Sequence, residues 1–352
     1  MIAMPNDVTK DELIVAMRRL LKTSARMYMF LARETIARFG REGEMTVRYG
    51  LRAFGFWRGR EMREAHHAMG LPIDMRSLNL CWDNASIYLV KDAMATEGKF
   101  EPFDTRYDVR YCAASEAWKE GDFHQWGHAY CDEFHQACAA AYHPDGHVVI
   151  PINMMKGDDH CRFEWVMPPG AASLDLGAPS PLGKKLAQDY DAASEVEGAW
   201  KSLKRTTRLM GGRFYTIAKP LLERHGEAGR AVLRDGLVKW GEERGRILRR
   251  EHEEAGLPVG FQSFIRQHDL PARYVWRVRE IEMSPARAVL EIEETPHEEA
   301  WDDYQAGDIA QLWHEAAYPP MVATYLPGAS ARWLSLRGRA GAKASRLEMT
   351  AQ

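Results

Sequence analysis

Residues 40–72 read GREGEMTVRYGLRAFGFWRGREMREAHHAMGLP, and residues 226–258 read GEAGRAVLRDGLVKWGEERGRILRREHEEAGLP. Set side by side without a gap, 14 of the 33 positions are identical, where unrelated sequences of average composition would share roughly two. Most of the shared residues are glycines and arginines, among them Gly55/Gly241, Arg58/Arg244, Gly59/Gly245 and His66/His252, at a constant offset of 186. Self-similarity of this kind is the mark of an internal duplication. A weaker continuation at an offset of 183 aligns Ala140, Tyr142 and Pro144 with Ala323, Tyr325 and Pro327, and a last trace sets Arg162 and Glu164 against Arg346 and Glu348.

The duplication accounts for the length, since 352 residues is about twice the roughly 150 of a usual domain. The expected division is a first copy at 1–167, a Pro/Gly/Ser-rich linker at 168–185, a degenerate second copy at 186–336 and a C-terminal strand or tail at 337–352. The first copy opens helical. Thr9 with Glu12 has the form of a capping box, and Leu13, Met17, Leu20, Leu21, Met27, Phe30 and Leu31 recur near a 3.6-residue period. A second helix is expected at 44–69, stopped by Gly70-Leu71-Pro72. Strands are expected at 86–90, 107–112, 148–154 and 161–167, another helix at 124–142, and second-copy strands at 274–282 and 288–293. Helices followed by strands predict an α+β fold: two tandem copies of a helices-then-antiparallel-sheet unit forming a pseudo-dimer.

Lys and Arg total 47 against 50 Asp and Glu, so the basic footprint of a nucleic-acid binder is missing. No uninterrupted apolar run approaches a membrane span, and the N-terminal residues do not form an export signal, so the expected location is the cytoplasm. The sequon beginning at Asn84 then carries no glycan. Five cysteines are too few for a disulfide framework, which leaves reduced thiols. A small-molecule substrate is the expected partner, with no nucleic acid and no membrane; a homo-oligomer is left open.

Chemistry collects in one window. Between Cys112 and Cys161 lie Cys112, Cys131, Cys138 and Cys161, with His124, His128, His135, His143, His147 and His160. The spacing of His124, His128, Cys131, His135 and Cys138 puts all five on one helical face, over about 21 Å at 1.5 Å per residue. Neighbours in that stripe could share a metal ion or act as thiol and base. Against this, Cys138 beside Ala137, Ala139 and Ala140 has the setting of a small core residue, Cys131 could be one too, and His124 belongs on the surface. In the second copy the stripe becomes Gly307, Gln311, His314, Tyr318 and Met321, with Ser345 opposite Cys161. Phosphate loops, dinucleotide turns, serine-hydrolase elbows, His-Glu-x-x-His and Cys-x-x-Cys are all missing.

The order Val109-Arg110-Tyr111-Cys112, Tyr130-Cys131, Pro144 and Gly157-Asp158-Asp159-His160-Cys161-Arg162-Phe163 resembles the L-2-amino-thiazoline-4-carboxylic acid hydrolase family. The resemblance covers the first half and implies hydrolytic opening of a cyclic amidine-like ring. The last motif is also similar to a small-ligand and metal-binding domain related to vinyl reductases, whose cysteines hold zinc, which implies a non-enzymatic binding or sensory alternative. The chain departs from the hydrolase pattern in carrying His135 where an acidic residue is expected, with Asp132 and Glu133 directly after Cys131.

Opening such a ring requires a nucleophile, a base, a proton for the leaving atom and anchors for charged substituents. The expected catalytic set is Cys131 as nucleophile, or as ligand of the attacking water, His135 as base, and Cys112 and Cys161 from neighbouring strands. Asp158 or Asp159, Arg162 and His128 would bind substrate, Arg162 by pairing a carboxylate or, like Arg346, by forming a structural salt bridge. No cofactor is needed; the alternative is zinc on Cys112, Cys131, Cys161 and His135.

Overall fold

The computed structural model describes residues 2–83, 98–171 and 174–351. The strand expected at 86–90 and the sequon at Asn84 lie outside the described residues. The two α-helices expected before residue 70 form one long element, α1 (Lys10–Ala68), with the Thr9/Glu12 capping box at its start. Its one non-helical residue is Gly40, at φ 56° and ψ −132°. The second copy repeats this in α6 (Glu195–Glu254), interrupted at Gly226 with φ 53° and ψ −129°. Both positions use a left-handed backbone that glycine adopts without steric cost, so these shared glycines mark a bend.

After α1 the chain runs through α2 (Met75–Leu80), β1 (Gly98–Phe100), β2 (Asp104–Val109), α3 (Ala113–Glu120), α4 (His124–Tyr142), β3 (His147–Ile152) and β4 (Cys161–Val166). Then come α5 (Pro181–Ala187), α6, α7 (Phe261–Arg266), α8 (Ala272–Val275), β5 (Arg277–Met283), β6 (Arg287–Glu294), α9 (Pro296–Asp303), α10 (Asp308–Tyr325), β7 (Ala329–Ser335) and β8 (Ser345–Ala351). The α+β reading holds. Each copy has a four-stranded antiparallel sheet, ordered β1-β2-β4-β3 in one and β5-β6-β8-β7 in the other. The strand expected at 107–112 ends at Val109, because Cys112 is already the N-cap of α3. That expected at 274–282 begins at Arg277, the preceding turn being α8 behind Pro271.

The chain forms two compact units, one of Val8–Arg18 and Arg48–Thr206, the other of Met1–Asp7, Arg19–Val47 and Thr207–Gln352. Within each, the duplicated residues do the same work. A Cβ on Gly55 would stand 2.4 Å from the Phe134 carbonyl oxygen, and one on Gly59 2.2 Å from that of Cys138. In the second copy Gly241 and Gly245 meet Ala317 and Met321 at 2.2 and 2.3 Å. The glycines are therefore where α4 and α10 press backbone to backbone against α1 and α6, a contact no side chain would fit. Buried Arg58 pairs with Asp83, and buried Arg244 with Asp269. His66 Nδ1 lies 2.8 Å from the Tyr142 hydroxyl and His252 Nδ1 2.8 Å from that of Tyr325. Among the described residues no helix is long and apolar enough to cross a membrane.

Candidate functional site

The first sheet turns alternate residues of β4 inward, and Cys161, Phe163 and Trp165 form that buried face. Helix α4 lies over it: the His135 ring is 5.0 Å from Phe163 and 5.9 Å from Trp165. One turn earlier on α4, Cys131 comes under the electrostatic influence of both Cys112 and Cys161. The thiols on the α3 cap, α4 and β4, three of the four candidate residues, are thus near enough to influence one another electrostatically.

Burial pushes the Cys131 thiol well above its ordinary value, and the neighbouring Cys112, Cys161 and Asp132 add to the shift, opposed by Lys156. Cys161 is pushed up to about 11, first by burial. Both are thiols at neutral pH, so a nucleophile here requires a base to take its proton. Cys161 is tied into its loop, accepting the Met154 N–H at 3.3 Å and facing Asn153 Oδ1 at 3.9 Å. The second copy reproduces this with oxygen, Ser345 Oγ accepting the Arg337 N–H at 3.0 Å.

His135 sits differently from the sequence expectation. Its Nδ1 donates to the Cys131 carbonyl at 3.0 Å, and its ring packs edge-on against Phe134, Phe163 and Trp165. Burial lowers its pKa to about 4. Its counterpart Tyr318 is a fully buried ring, 5.2 Å from Trp333. The position is an aromatic packing site in both copies.

His128, on the same helix, pairs instead with a carboxylate. Its Nδ1 is 3.0 Å from Asp132 Oδ2, one turn along the same helix, which fixes the proton on Nδ1. His128 is itself one turn before Cys131. Asp132 also receives Lys156 Nζ at 3.4 Å, and Lys119 is close enough to Cys161 to favour its thiolate. Sequence reading noted Asp132 only as an acidic residue beside Cys131, without a role, and passed over Lys119 and Lys156; the four-residue step from His128 to Asp132 was the available signal.

The other expected residues separate. Arg162 and Cys161 are adjacent in β4 and so face opposite sides of the sheet. Arg162 forms a two-pronged pair with Asp108 at 2.8 and 3.1 Å, as Arg346 pairs with Glu291 in the second copy, which makes it structural. Asp159 is turned outward, bonded to His160 at 2.6 Å. Asp158 accepts the Asn153 N–H at 2.7 Å and remains near Cys161. Cys138 is fully buried, like its counterpart Met321. His124 is surface-exposed. The proposed zinc ligands do not form a ligand set: among the described residues no three His, Cys, Asp or Glu side chains are grouped to hold a metal.

Residues 21–165 match the family model described as L-2-amino-thiazoline-4-carboxylic acid hydrolase. The match spans the first copy and contains Cys112, His128, Cys131 and Cys161, and it suggests a hydrolase acting on a cyclic substrate. No curated protein and no solved structure gives a match.

Proposed function

We propose that the first copy is a thiol hydrolase that opens a small cyclic amidine-like ring, with Cys131 as nucleophile and His128, oriented by Asp132, as its base. The observation that supports this reading is the His128–Asp132 pair one helical turn from Cys131, a thiol that feels the charge of Cys112 and Cys161. A protonated thiol in a low-polarity setting is inert alone; an imidazole with a fixed Nδ1–H is the partner that activates it.

In the proposed sequence His128 Nε2 takes the Cys131 proton as Sγ bonds to the amidine carbon. The ring bond to the leaving heteroatom breaks, and His128 returns the proton to that atom. Water, deprotonated by the same imidazole, then attacks the thio-linked carbon and expels Cys131, so one water is taken up and the thiol is regenerated. Lys119 and Lys156 would hold a substrate carboxylate, the role first expected of Arg162. Asp158 is the carboxylate beside Cys161 for a cationic nitrogen.

The test is incubation of the purified full chain with L-2-amino-thiazoline-4-carboxylate and with related cyclic amidines, lactams and thiolactones, read by mass spectrometry. A product heavier by one water supports the reading. Rings left intact after exhaustive incubation with all of them would remove it.

A further inference from the structure

Asn153 caps the single 3₁₀ turn, Met154–Lys156, between β3 and β4, and it is fully buried. Its Oδ1 accepts the Met155 N–H at 2.8 Å and the Cys161 thiol at 3.9 Å. Because Met155 presents an N–H, the oxygen of the amide and not its nitrogen must face it, which fixes the orientation of the side chain. Nδ2 is left with two N–H donors, and among the described residues no group accepts from them.

A buried amide without an acceptor is costly, and the great majority of such groups in folded proteins are satisfied. The fold does not impose this cost. In the second copy the Arg337 N–H meets Ser345 as the Met154 N–H meets Cys161 in the first. The residue before Arg337, where Asn153 stands before Met154, is Leu336, which is also buried. A leucine thus fills the place of Asn153 while the same clamp between loop and strand is kept. The amide belongs to the copy that carries the thiols, and its neighbours are theirs. Its oxygen holds the Cys161 thiol, Cys161 is near enough to influence Cys131 electrostatically, and the Asn153 N–H donates to Asp158 at 2.7 Å.

We propose that Asn153 is a further catalytic residue of the first copy, its Nδ2 donating a hydrogen bond to the substrate's ring nitrogen, an assignment that rests on the thiol-hydrolase function proposed for that copy. As Cys131 Sγ bonds to the amidine carbon, the π pair of the C=N bond passes to the ring nitrogen. A fixed N–H beside that atom stabilises the pair as an oxyanion hole stabilises a developing alkoxide. Asn153 neither gains nor loses a proton; the proton of Cys131 still goes to His128. The donor is preorganised, since no protein acceptor has to be given up when the substrate arrives.

The test compares the full chain as wild type, Asn153→Ser and Asn153→Leu. Serine keeps a capping oxygen for the Met155 N–H and removes the amide donors; leucine installs the residue of the second copy. Melting curves show which variants fold. Turnover of L-2-amino-thiazoline-4-carboxylate and related cyclic amidines is measured beside the rate at which iodoacetamide alkylates Cys131, located by mass spectrometry. The expected result is a kcat lower by about a hundredfold or more in each folded variant, with KM and the alkylation rate within a few-fold of the wild type. A merely structural role would slow turnover and alkylation together, and that outcome overturns the proposal, as does an unchanged kcat in a folded variant. Failure of both variants to fold would show that the fold needs the amide and overturns it too. Absence of ring opening by the wild type removes the thiol-hydrolase function and this role with it, whereas turnover that requires Cys131 but not Asn153 removes this role alone.

Discussion

His128 Nδ1 and Asp132 Oδ2 lie 3.0 Å apart on consecutive turns of one helix, with Cys131 between them in sequence. In the proposed mechanism the carboxylate selects the Nε2 lone pair for proton transfer. Removing either member should lower turnover without unfolding the chain, because both side chains are partly exposed. Asp132→Asn is expected to lower kcat about tenfold to a hundredfold, and His128→Gln by at least that, on the scale of general base contributions. Steady-state kinetics with melting curves measure it.

Cys161 should prove replaceable by the residue its counterpart already uses. Cys161→Ser retains an acceptor for the Met154 N–H and is expected to keep its fold and turnover within several-fold. Cys161→Val leaves that buried N–H without its acceptor, at about 1–3 kcal/mol. Denaturant titration of the two variants distinguishes the outcomes.

His135 is expected to behave as packing. His135→Phe should fold and turn over substrate within a few-fold of the wild type, since an aromatic ring is all the layer of Phe134, Phe163 and Trp165 requires. The same residue gives a pH signature. The fold accommodates the neutral form of His66, His135 and His268, each lowered from 6.5 to about 4, in each case chiefly by burial. Between those values the unfolded chain binds more protons than the folded one. Their contribution to stability is therefore complete above about pH 6.5 and lost as pH falls toward 4. Melting temperature should drop across that window, less steeply in His135→Phe.

The repeat glycines should be intolerant in both copies. Gly59→Ala or Gly245→Ala drives a methyl to about 2.2–2.3 Å from a carbonyl oxygen on the facing helix, an overpacking expected to cost about 1–3 kcal/mol or more. Chemical denaturation should show comparable losses for the two.

Lys119→Ala and Lys156→Ala are expected to raise KM for a carboxylated ring substrate several-fold, with little effect on an analogue lacking the carboxylate. Arg162→Ala should leave that discrimination unchanged.

The duplication was legible because its strongest matches are residues with a single physical solution: left-handed bends at Gly40 and Gly226, and backbone contacts at Gly55, Gly59, Gly241 and Gly245. Helix α4 was readable from its periodicity, and β4 and β6 from alternation. The continuity of α1 was not, because a glycine bend and a helix break have the same local composition. The thiol cluster was also foreshadowed by residue type alone. What sequence could not supply was orientation: it could not tell that His135 turns into an aromatic layer while His128 pairs with Asp132. Nor could it tell that Arg162, next to a site cysteine, faces the other side of its sheet.

The role of Cys131 is tested most directly by intact-mass spectrometry during turnover of a cyclic amidine, comparing wild type with Cys131→Ala and Cys138→Ala. The expected result is ring opening by wild type and Cys138→Ala, a transient adduct mapped to Cys131, and loss of turnover by about a thousandfold or more in Cys131→Ala, as for other essential nucleophiles. Turnover of a folded Cys131→Ala protein at the wild-type rate would contradict it.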